Sequence, residues 1–186
     1  MVYLKLFKYY IPKLLSAILL LFLIYDGFIL QNSNSPKSGN TLGVKETQSQ
    51  ITIVTKVIDG DTIVLKNGQT VRYVGIDAPE LHHPKKKRQC YAEQSKEKNS
   101  QLVLGKRVRL EKDISETDKY GRLLRYVYVV NASNKSVLSV NEKLVEEGYA
   151  RVATFSPDVF LAQKLTDWQN KARDLKLGLW DKCQFE

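Results

Sequence analysis

Three acids and one arginine at the ends of a predicted hairpin form the first candidate site. Asp61 begins one alternating apolar run, and Asp77 ends the next run, which carries Arg72. Asn67-Gly68 stands between them, the dipeptide most typical of a tight hairpin turn. Because a hairpin lays its strands side by side, we expect these residues to converge, with Glu80 close behind. Carboxylates favour a hard cation such as Ca²⁺, and a guanidinium beside them favours a phosphate.

The elements that must position these residues are predicted from the spacing of apolar side chains. Alternating β-branched runs predict strands at 50–58, 62–66, 69–76, 106–112 and 123–130. Five strands with helices between and after them predict an α+β fold, a five-stranded barrel most like an OB-fold with three packed helices.

The three helices are predicted from caps and from helical periodicity. The first spans 92–104, and the second spans 139–148 and begins with a Ser139–Glu142 capping box. The third begins at Ser156-Pro157, with proline at its favoured first position. Its apolar stripe is predicted to lie in the core and consists of Leu161, Leu165, Trp168, Ala172 and Leu175.

The N-terminus has the layout of an export signal. Three lysines precede an apolar run at 14–25, and the wider span 11–30 is long enough to cross a bilayer. Residues 1–30 are therefore predicted to be a signal peptide or a membrane anchor, as an N-terminal hydrophobic helix. Both place the rest of the chain on the extracytoplasmic side, secreted or held at the membrane. Residues 31–50 are predicted to be a flexible linker before a folded domain at 51–183.

The charge balance favours a polyanionic partner. The 186-residue chain carries a formal charge of +9, and the part beyond residue 44 keeps about +6 by the same counting. Such a domain attracts nucleic acid, although charge alone leaves open a basic surface without a specific partner. The basic run that contains Lys85 and Lys86 is predicted to face substrate, with a solvated face as its alternative.

Cys90 and Cys183 are the only two cysteines. Two cysteines do not make a zinc site alone, and His82 and His83 lack metal-ligand spacing. In an exported chain the pair predicts a disulfide, and two free buried thiols are the alternative.

Five motifs together resemble the staphylococcal nuclease (thermonuclease) family over residues 51–181. They are Val57–Thr62 (VIDGDT), Arg72–Glu80, His83–Lys86 (HPKK), Asp118–Arg122 (DKYGR) and Asn141–Ala150 (NEKLVEEGYA). The resemblance implies a five-stranded OB barrel with three helices. It also implies a Ca²⁺-dependent phosphodiesterase that acts on DNA and RNA and leaves 3′-phosphates.

The resemblance assigns a cation site to three residues and a nearby acid. Asp61 and Asp77 match the carboxylate ligands of Ca²⁺, and Ala78 stands where the family usually offers a threonine main-chain carbonyl. Alanine offers the same carbonyl, so this departure is expected to be mild. Asp59 matches a further acid close to the metal, whereas the pattern alone also allows Asp59 and Asp61 to be turn formers.

The resemblance also assigns the groups that act on the phosphate. Arg72 and Arg122 match the two guanidiniums that hold it, and Glu80 matches the carboxylate that orients or deprotonates the attacking water. Lys119 and Tyr120 match residues that contact a nucleotide's terminal phosphate.

The stretch at 151–157 departs from the family, which usually carries base-stacking tyrosines there. Phe155 either stacks on a base in their place or lies in the core.

Two functions are compatible with this sequence. One is an exported or membrane-anchored monomeric nuclease acting on DNA and RNA, with single strands favoured. The other is an OB-fold module that binds nucleic acid without cutting it. Because the acids and both arginines are all present, the sequence favours the enzyme.

Overall fold

The computed structural model describes residues 50–81 and 88–184. All of them belong to the second of the two units into which the chain divides, Glu46–Glu186. The predicted leader, almost all of the predicted linker, and Lys85 and Lys86 lie outside the described residues. Gln50, the last residue of the predicted linker, begins the first strand. No helix within 50–81 and 88–184 is long and apolar enough to span a membrane.

The strands form a closed barrel, as predicted. They are β1 (Gln50–Val57), β2 (Thr62–Leu65), β3 (Thr70–Tyr73), β4 (Ile76–Asp77), β5 (Arg107–Glu111), β6 (Leu123–Val130), β7 (Ser136–Ser139) and β8 (Arg151–Val152). The main sheet runs β3-β2-β1-β5-β6-β7, and β3 also pairs in parallel with β6. This pairing closes β1, β2, β3, β5 and β6 into a five-stranded mixed barrel, and β7 extends from β6 beyond it. Strands β4 and β8 form a separate antiparallel pair.

The predicted hairpin joins β2 to β3 around Asn67-Gly68. Gly68 has a φ of 85°, which glycine adopts without steric cost. The Asn67 side-chain carbonyl accepts the Gln69 N–H at 3.1 Å. The register pairs Thr62 with Arg72, and it thereby sets Asp61 beside the strand that carries Arg72.

The barrel interior follows the strand alternation of the sequence. The fully buried strand residues include Val54, Ile63, Leu65, Val71, Val108, Leu110 and Val127. Burying each of these side chains contributes about 1.5–3 kcal/mol relative to leaving it in water. Val108 and Leu110 of β5 are buried, whereas Arg107 is exposed.

Four helices are described, one more than predicted. They are α1 (Ala92–Val103), α2 (Val140–Glu146), α3 (Ala162–Asp174) and the short α4 (Leu179–Lys182). The predicted capping box is wrong, because Ser139 makes no side-chain cap hydrogen bond. Ser139 is nevertheless the N-cap residue of α2, as predicted, and it is also the last residue of β7, where it pairs with Tyr128 of β6.

The predicted start of the third helix is also wrong. Ser156 and Pro157 are joined by a cis peptide bond within a turn, and α3 begins only at Ala162. Leu161, Leu165 and Ala172 are buried and Trp168 is half-buried, as the stripe predicts. Leu175 is 59% exposed. It is the C-cap residue that follows the last residue of α3.

Cys90 and Cys183 form a disulfide across 93 residues of sequence. The bond joins the chain just before α1 to the residue that follows α4.

Candidate active site

Arg72 lies at the centre of the converging acids. Its Nη2 is 3.1 Å from Asp61 Oδ2 and 3.0 Å from Asp77 Oδ1. Its Nη1 donates to the backbone carbonyls of Tyr73 at 2.9 Å and Ile76 at 2.7 Å. Four acceptors therefore fix the Arg72 guanidinium. Two of them, the carboxylates of Asp61 and Asp77, are the predicted cation ligands, and both contact the same nitrogen. The structure thus brings Asp61, Asp77 and Arg72 together as the hairpin predicts.

Asp61 is a buried carboxylate, 4% exposed. Its Oδ2 accepts the Ala78 N–H at 2.7 Å, and its Oδ1 accepts the Thr62 hydroxyl at 3.0 Å. Burial raises the pKa of Asp61 to about 7, and the Asp59 charge adds to this, although the Arg72 guanidinium opposes both. A second positive charge beside Asp61, in addition to Arg72, would therefore stabilise its ionised form.

Asp59 behaves as a turn former, because its Oδ1 accepts the Asp61 N–H at 3.0 Å. Asp61 itself reaches across to Arg72 and Ala78, so the turn-former alternative does not describe it. A side chain at Gly60 would meet the Ala78 Cβ at 2.5 Å. Glycine therefore allows the turn that carries Asp61 to lie against Ala78.

A buried asparagine holds this turn in place, and the sequence did not single it out for that role. Asn99 of α1 donates through Nδ2 to the Asp59 carbonyl at 2.9 Å. Its Oδ1 accepts the Tyr73 hydroxyl at 2.9 Å. Asn99 thus links α1 to both the Asp61 turn and the strand that carries Arg72. A polar residue at a core-facing helix position is its only sequence signal.

Asp77 contacts a second arginine as well as Arg72. Its Oδ2 is 3.5 Å from Arg151 Nη2, because β4 and β8 pair Asp77 with Arg151. Arg151 was not predicted from the sequence, because the pairing joins strands of two residues each that are far apart in the chain.

The backbone of Glu80 is held by Gln89. The Glu80 N–H donates to Gln89 Oε1 at 2.8 Å, and the Gln89 N–H donates to the Glu80 carbonyl at 3.1 Å. Burial raises the pKa of the Glu80 carboxyl, and the charges of Asp59 and Asp77 raise it further, against Arg72 and Arg122. Glu80 is therefore within electrostatic reach of both predicted phosphate-binding arginines.

Arg122 is oriented by Asp118 within its own turn. Asp118 Oδ2 accepts Arg122 Nε at 2.7 Å, and Oδ1 accepts the N–H groups of Tyr120 at 2.9 Å and Arg122 at 3.0 Å. Burial alone would raise the pKa of Asp118, but these hydrogen bonds outweigh it and hold the pKa below its usual value. This role of Asp118 was not predicted from the sequence.

Tyr120 is 72% exposed, and two cations lie over its ring. Lys119 Nζ is 5.1 Å and Arg122 Cζ is 5.5 Å from the ring centre. Both distances fit cation–π contacts. Lys119 and Tyr120 are thus grouped with Arg122, and their predicted contact with a terminal phosphate stays a prediction.

A cavity of about 250 Å³ lies between the two arginines. Its lining residues are Arg72, Tyr73, Val74, Gly75, Ile76, Asp118, Arg122, Leu124, Ala153, Phe155 and Asp158. Phe155 is 76% exposed, so its core alternative is wrong. Asp61, Asp77 and Glu80 do not line the cavity. Arg72 connects it to the two aspartates, because its guanidinium contacts both.

The donor chemistry beside Arg72 fits a hard cation. In the part of the chain that is described, no cluster of three or more His, Cys, Asp or Glu side chains is arranged for a metal ion. The predicted ligand set needs only two carboxylates, Asp61 and Asp77, and the Ala78 carbonyl. Ala78 follows Asp77 in the chain, and its N–H donates to Asp61, so its backbone lies beside both carboxylates. All three donors are oxygens, which Ca²⁺ and Mg²⁺ prefer.

Comparison with known proteins identifies a single family. The family model described as "Staphylococcal nuclease homologue" matches residues 70–182. The thermonuclease of Staphylococcus hyicus is 35% identical over 141 residues, which cover 74% of this chain and 80% of that protein. Endonuclease YncB of Bacillus subtilis is 36% identical over 159 residues, covering 83% and 72%. The thermonuclease of Staphylococcus intermedius is 31% identical over 175 residues, covering 91% and 99%. The chain therefore belongs to the staphylococcal nuclease family.

Proposed function

We propose that this protein is a Ca²⁺-dependent phosphodiesterase that hydrolyses DNA and RNA to 3′-phosphate products. The observation that carries the proposal is the position of Arg72. Its guanidinium contacts Asp61 and Asp77 within 3.1 Å and also lines a cavity with Arg122. The family and the relatives named as thermonucleases and an endonuclease support nuclease activity.

The two arginines are the groups proposed to bind the scissile phosphate. Arg122 donates to Asp118 through Nε. Its two terminal nitrogens are the groups proposed to donate to the phosphate. Hydrolysis adds negative charge to the phosphate oxygens, and donors fixed in advance stabilise that charge where it develops. Arginine suits this role because it stays charged and offers a planar fork.

Glu80 is proposed to orient or deprotonate the attacking water. The same burial and neighbouring acids that raise its pKa make it a stronger base than a solvated carboxylate. Proton transfer by such a group contributes about 10²–10⁴-fold to a rate. The two hydrogen bonds between Gln89 and the Glu80 backbone, one donated by each residue, fix the backbone from which this side chain projects.

Family membership implies a metal cofactor, and we propose that it is Ca²⁺ held by Asp61, Asp77 and the Ala78 carbonyl. The ion would supply positive charge to the phosphate beside the arginines. The high pKa of Asp61, set by burial, is consistent with a site built for a cation.

The location follows as a further part of the proposal. Lysines followed by an apolar run at the N-terminus are typical of export, so we propose an extracytoplasmic nuclease, secreted or membrane-anchored and monomeric. Protease protection of the domain in intact cells would contradict this location.

The test is cleavage by the full-length protein of single-stranded DNA, duplex DNA and RNA, with Ca²⁺ and with excess chelator. We expect degradation with Ca²⁺, arrest on chelation, and 3′-phosphate ends on the products. Glu80→Gln serves as the matched inactive variant. Full cleavage in chelator would remove the metal from the mechanism. Tight binding without cleavage would instead assign the chain to the non-catalytic OB-fold modules.

A further inference from the structure

The disulfide Cys90–Cys183 lies next to the residue that holds the backbone of the proposed base. Gln89, the neighbour of Cys90, makes two hydrogen bonds with the Glu80 backbone, at 2.8 and 3.1 Å. Because Gln89 is exposed, water competes for these bonds and they are weak on their own. Cys90 is exposed too, so a soluble reductant can reach the disulfide.

The other end of the disulfide is anchored in the body of the domain. Cys183 follows α4, and its N–H donates to the Leu179 carbonyl at 3.0 Å. Leu179 is buried, and its own N–H donates to the Gly148 carbonyl at 2.8 Å. A side chain at Gly148 would meet the Leu177 carbonyl oxygen at 2.2 Å, so the chain before α4 lies directly against this turn. The disulfide therefore ties Cys90 to a fixed point.

Tyr91 connects the disulfide to α1 in a strained conformation. Its φ of 70° is left-handed, which is unfavourable for a tyrosine because its Cβ comes too close to the backbone. Such a conformation persists only where the surrounding structure enforces it. The disulfide fixes the chain before Tyr91, and Ala92, 1% exposed, fixes the chain after it. Breaking the disulfide removes the first restraint, so that Tyr91 can relax and carry Gln89 away from Glu80.

The ion pair nearest to Gln89 does not replace the disulfide. Arg88 contacts Glu93 of α1, and the two side chains are 58% and 63% exposed. Exposed ion pairs contribute little to stability. This pair also joins the segment only to the helix that it precedes, and not to the body of the domain.

We propose that the disulfide Cys90–Cys183 is a redox-sensitive positioning element for Glu80, and that its reduction lowers turnover by releasing Glu80 from Gln89. This proposal rests on the proposed function and adds to it a redox control. A dithiol supplies the two electrons and two protons that convert the S–S bond into two thiols, and it leaves as its own disulfide. The proposed cation ligands and both arginines lie outside this segment, so cation and phosphate binding are kept. The enzyme is then fully active only in an oxidising compartment.

The first measurement is amide hydrogen exchange of the full-length protein, oxidised and after reduction by excess dithiol. We expect the Glu80 and Gln89 amides to exchange at least about tenfold faster after reduction, because both donate in the pair that opens. The Ala78 amide, which donates to the buried Asp61, should keep its protection. Unchanged exchange at Glu80 and Gln89 would overturn the proposal. Equal acceleration at Ala78 would also overturn it, because that result indicates general loosening.

The second measurement is the rate of cleavage of single-stranded DNA with Ca²⁺. We expect reduction to lower kcat about tenfold, less than the full contribution of a general base, with KM and Ca²⁺ affinity unchanged. The double substitution Cys90→Ser and Cys183→Ser should give the same low kcat with and without dithiol, because the chain has no other cysteine. A dithiol effect that persists in this variant, or a wild-type kcat in it, would contradict the proposal.

Gln89→Ala tests the same contact with the disulfide intact, and it provides the comparison should the reduced protein unfold. We expect kcat to fall several-fold and dithiol to lower it further by less than in wild type, because both changes act through one contact. Gln94→Ala is the matched control, since Gln94 is an exposed glutamine in the first turn of α1. It should keep the wild-type kcat and the full response to dithiol. A wild-type kcat in Gln89→Ala, or losses that simply add, would show that the disulfide does not act through this contact.

Failure of the redox control is distinguishable from failure of the proposed function. Cleavage at the same rate in the oxidised and reduced states removes the redox control and leaves the nuclease. Faster exchange at Glu80 and Gln89 after reduction, in a protein that cuts no substrate in either state, removes the nuclease and leaves the redox-dependent contact.

Discussion

The two arginines that line the cavity are held in place by different regions of the molecule. Arg72 is on a barrel strand and shares both of its acids with the proposed cation site. Arg122 is at the end of a surface turn and has an acid of its own, Asp118. Their side chains are 17% and 31% exposed, so the strand arginine is the more enclosed.

Two arginines that face one cavity therefore need not be equivalent. Asp61 and Asp77 contact the Arg72 guanidinium and are also the proposed ligands of the cation. The affinity of the site for a cation must therefore depend on Arg72. Asp118 is not among the proposed cation ligands, so Arg122 is expected to be independent of the cation. Replacing each arginine in turn therefore separates phosphate binding from metal binding.

The largest effect is expected for Arg72→Gln. We expect cleavage to fall about 10³-fold, because a fixed donor to the phosphate is lost. Removing a positive charge 3.1 Å from Asp61 should also strengthen Ca²⁺ binding, by roughly fivefold or more. Cleavage rates and calorimetric Ca²⁺ titration measure the two effects. Weaker Ca²⁺ binding in this variant would contradict the shared-acid arrangement.

A smaller and simpler effect is expected for Arg122→Gln. Cleavage should fall about 10²-fold for the same reason. The Ca²⁺ affinity should equal that of wild type, since Asp118 takes no part in the cation site. A shift in Ca²⁺ affinity as large as that of Arg72→Gln would show that the two regions are not independent.

Asp118→Asn should have a milder effect than either arginine substitution. Asparagine keeps an acceptor for the backbone N–H groups of Tyr120 and Arg122 but loses the charged partner of Arg122 Nε. We expect kcat/KM to fall about tenfold, as for the loss of a positioning contact. An unchanged kcat/KM would mean that Arg122 is oriented without Asp118.

The smallest effect is expected on how the thermal stability of the protein changes with pH, and it involves the same turn. The folded pKa of Asp118 lies below its ordinary value of 3.8, so the stability that it contributes is present above that pH. It is lost as the pH falls through the lower folded pKa. We therefore expect Asp118→Asn to melt below wild type at pH 7 and the difference to shrink below about pH 4. A difference that persists unchanged at pH 2 would contradict this assignment.

The parts of the fold that local patterns determine could be predicted from sequence. The Asn67-Gly68 hairpin fixes the register that sets Asp61 beside Arg72, because turn type and alternation act over a few residues. The same alternation predicted the five barrel strands, but the run predicted as one strand at 69–76 was wrong at its end. The barrel strand β3 stops at Tyr73, and Ile76 belongs to the separate strand β4.

The failures come from tertiary contacts that no local pattern encodes. Ser156-Pro157 fits a helix start, but Asp158 bonds to Ile114 and Ser115 on a distant loop, and α3 begins only after that segment. Leu175 fits the helical stripe but lies beyond the helix end.

In the candidate site, too, local patterns predicted some residues and tertiary contacts hid others. Arg72, Asp61 and Asp77 were predicted together, because one hairpin carries or adjoins all three. Arg151, Asn99 and Gln89 were missed as contacts of the site, because each reaches it through a pairing or a hydrogen bond of tertiary structure. The roles of the predicted residues stay predictions until the substitutions are measured.

The most direct test is a calorimetric Ca²⁺ titration of wild type, Asp77→Asn and Asp118→Asn without nucleic acid. We expect one Ca²⁺ per chain in wild type and in Asp118→Asn, and at least about tenfold weaker binding in Asp77→Asn, because a charged ligand is lost. Wild-type affinity in Asp77→Asn would contradict the account, because the ion would then be held elsewhere than beside Arg72.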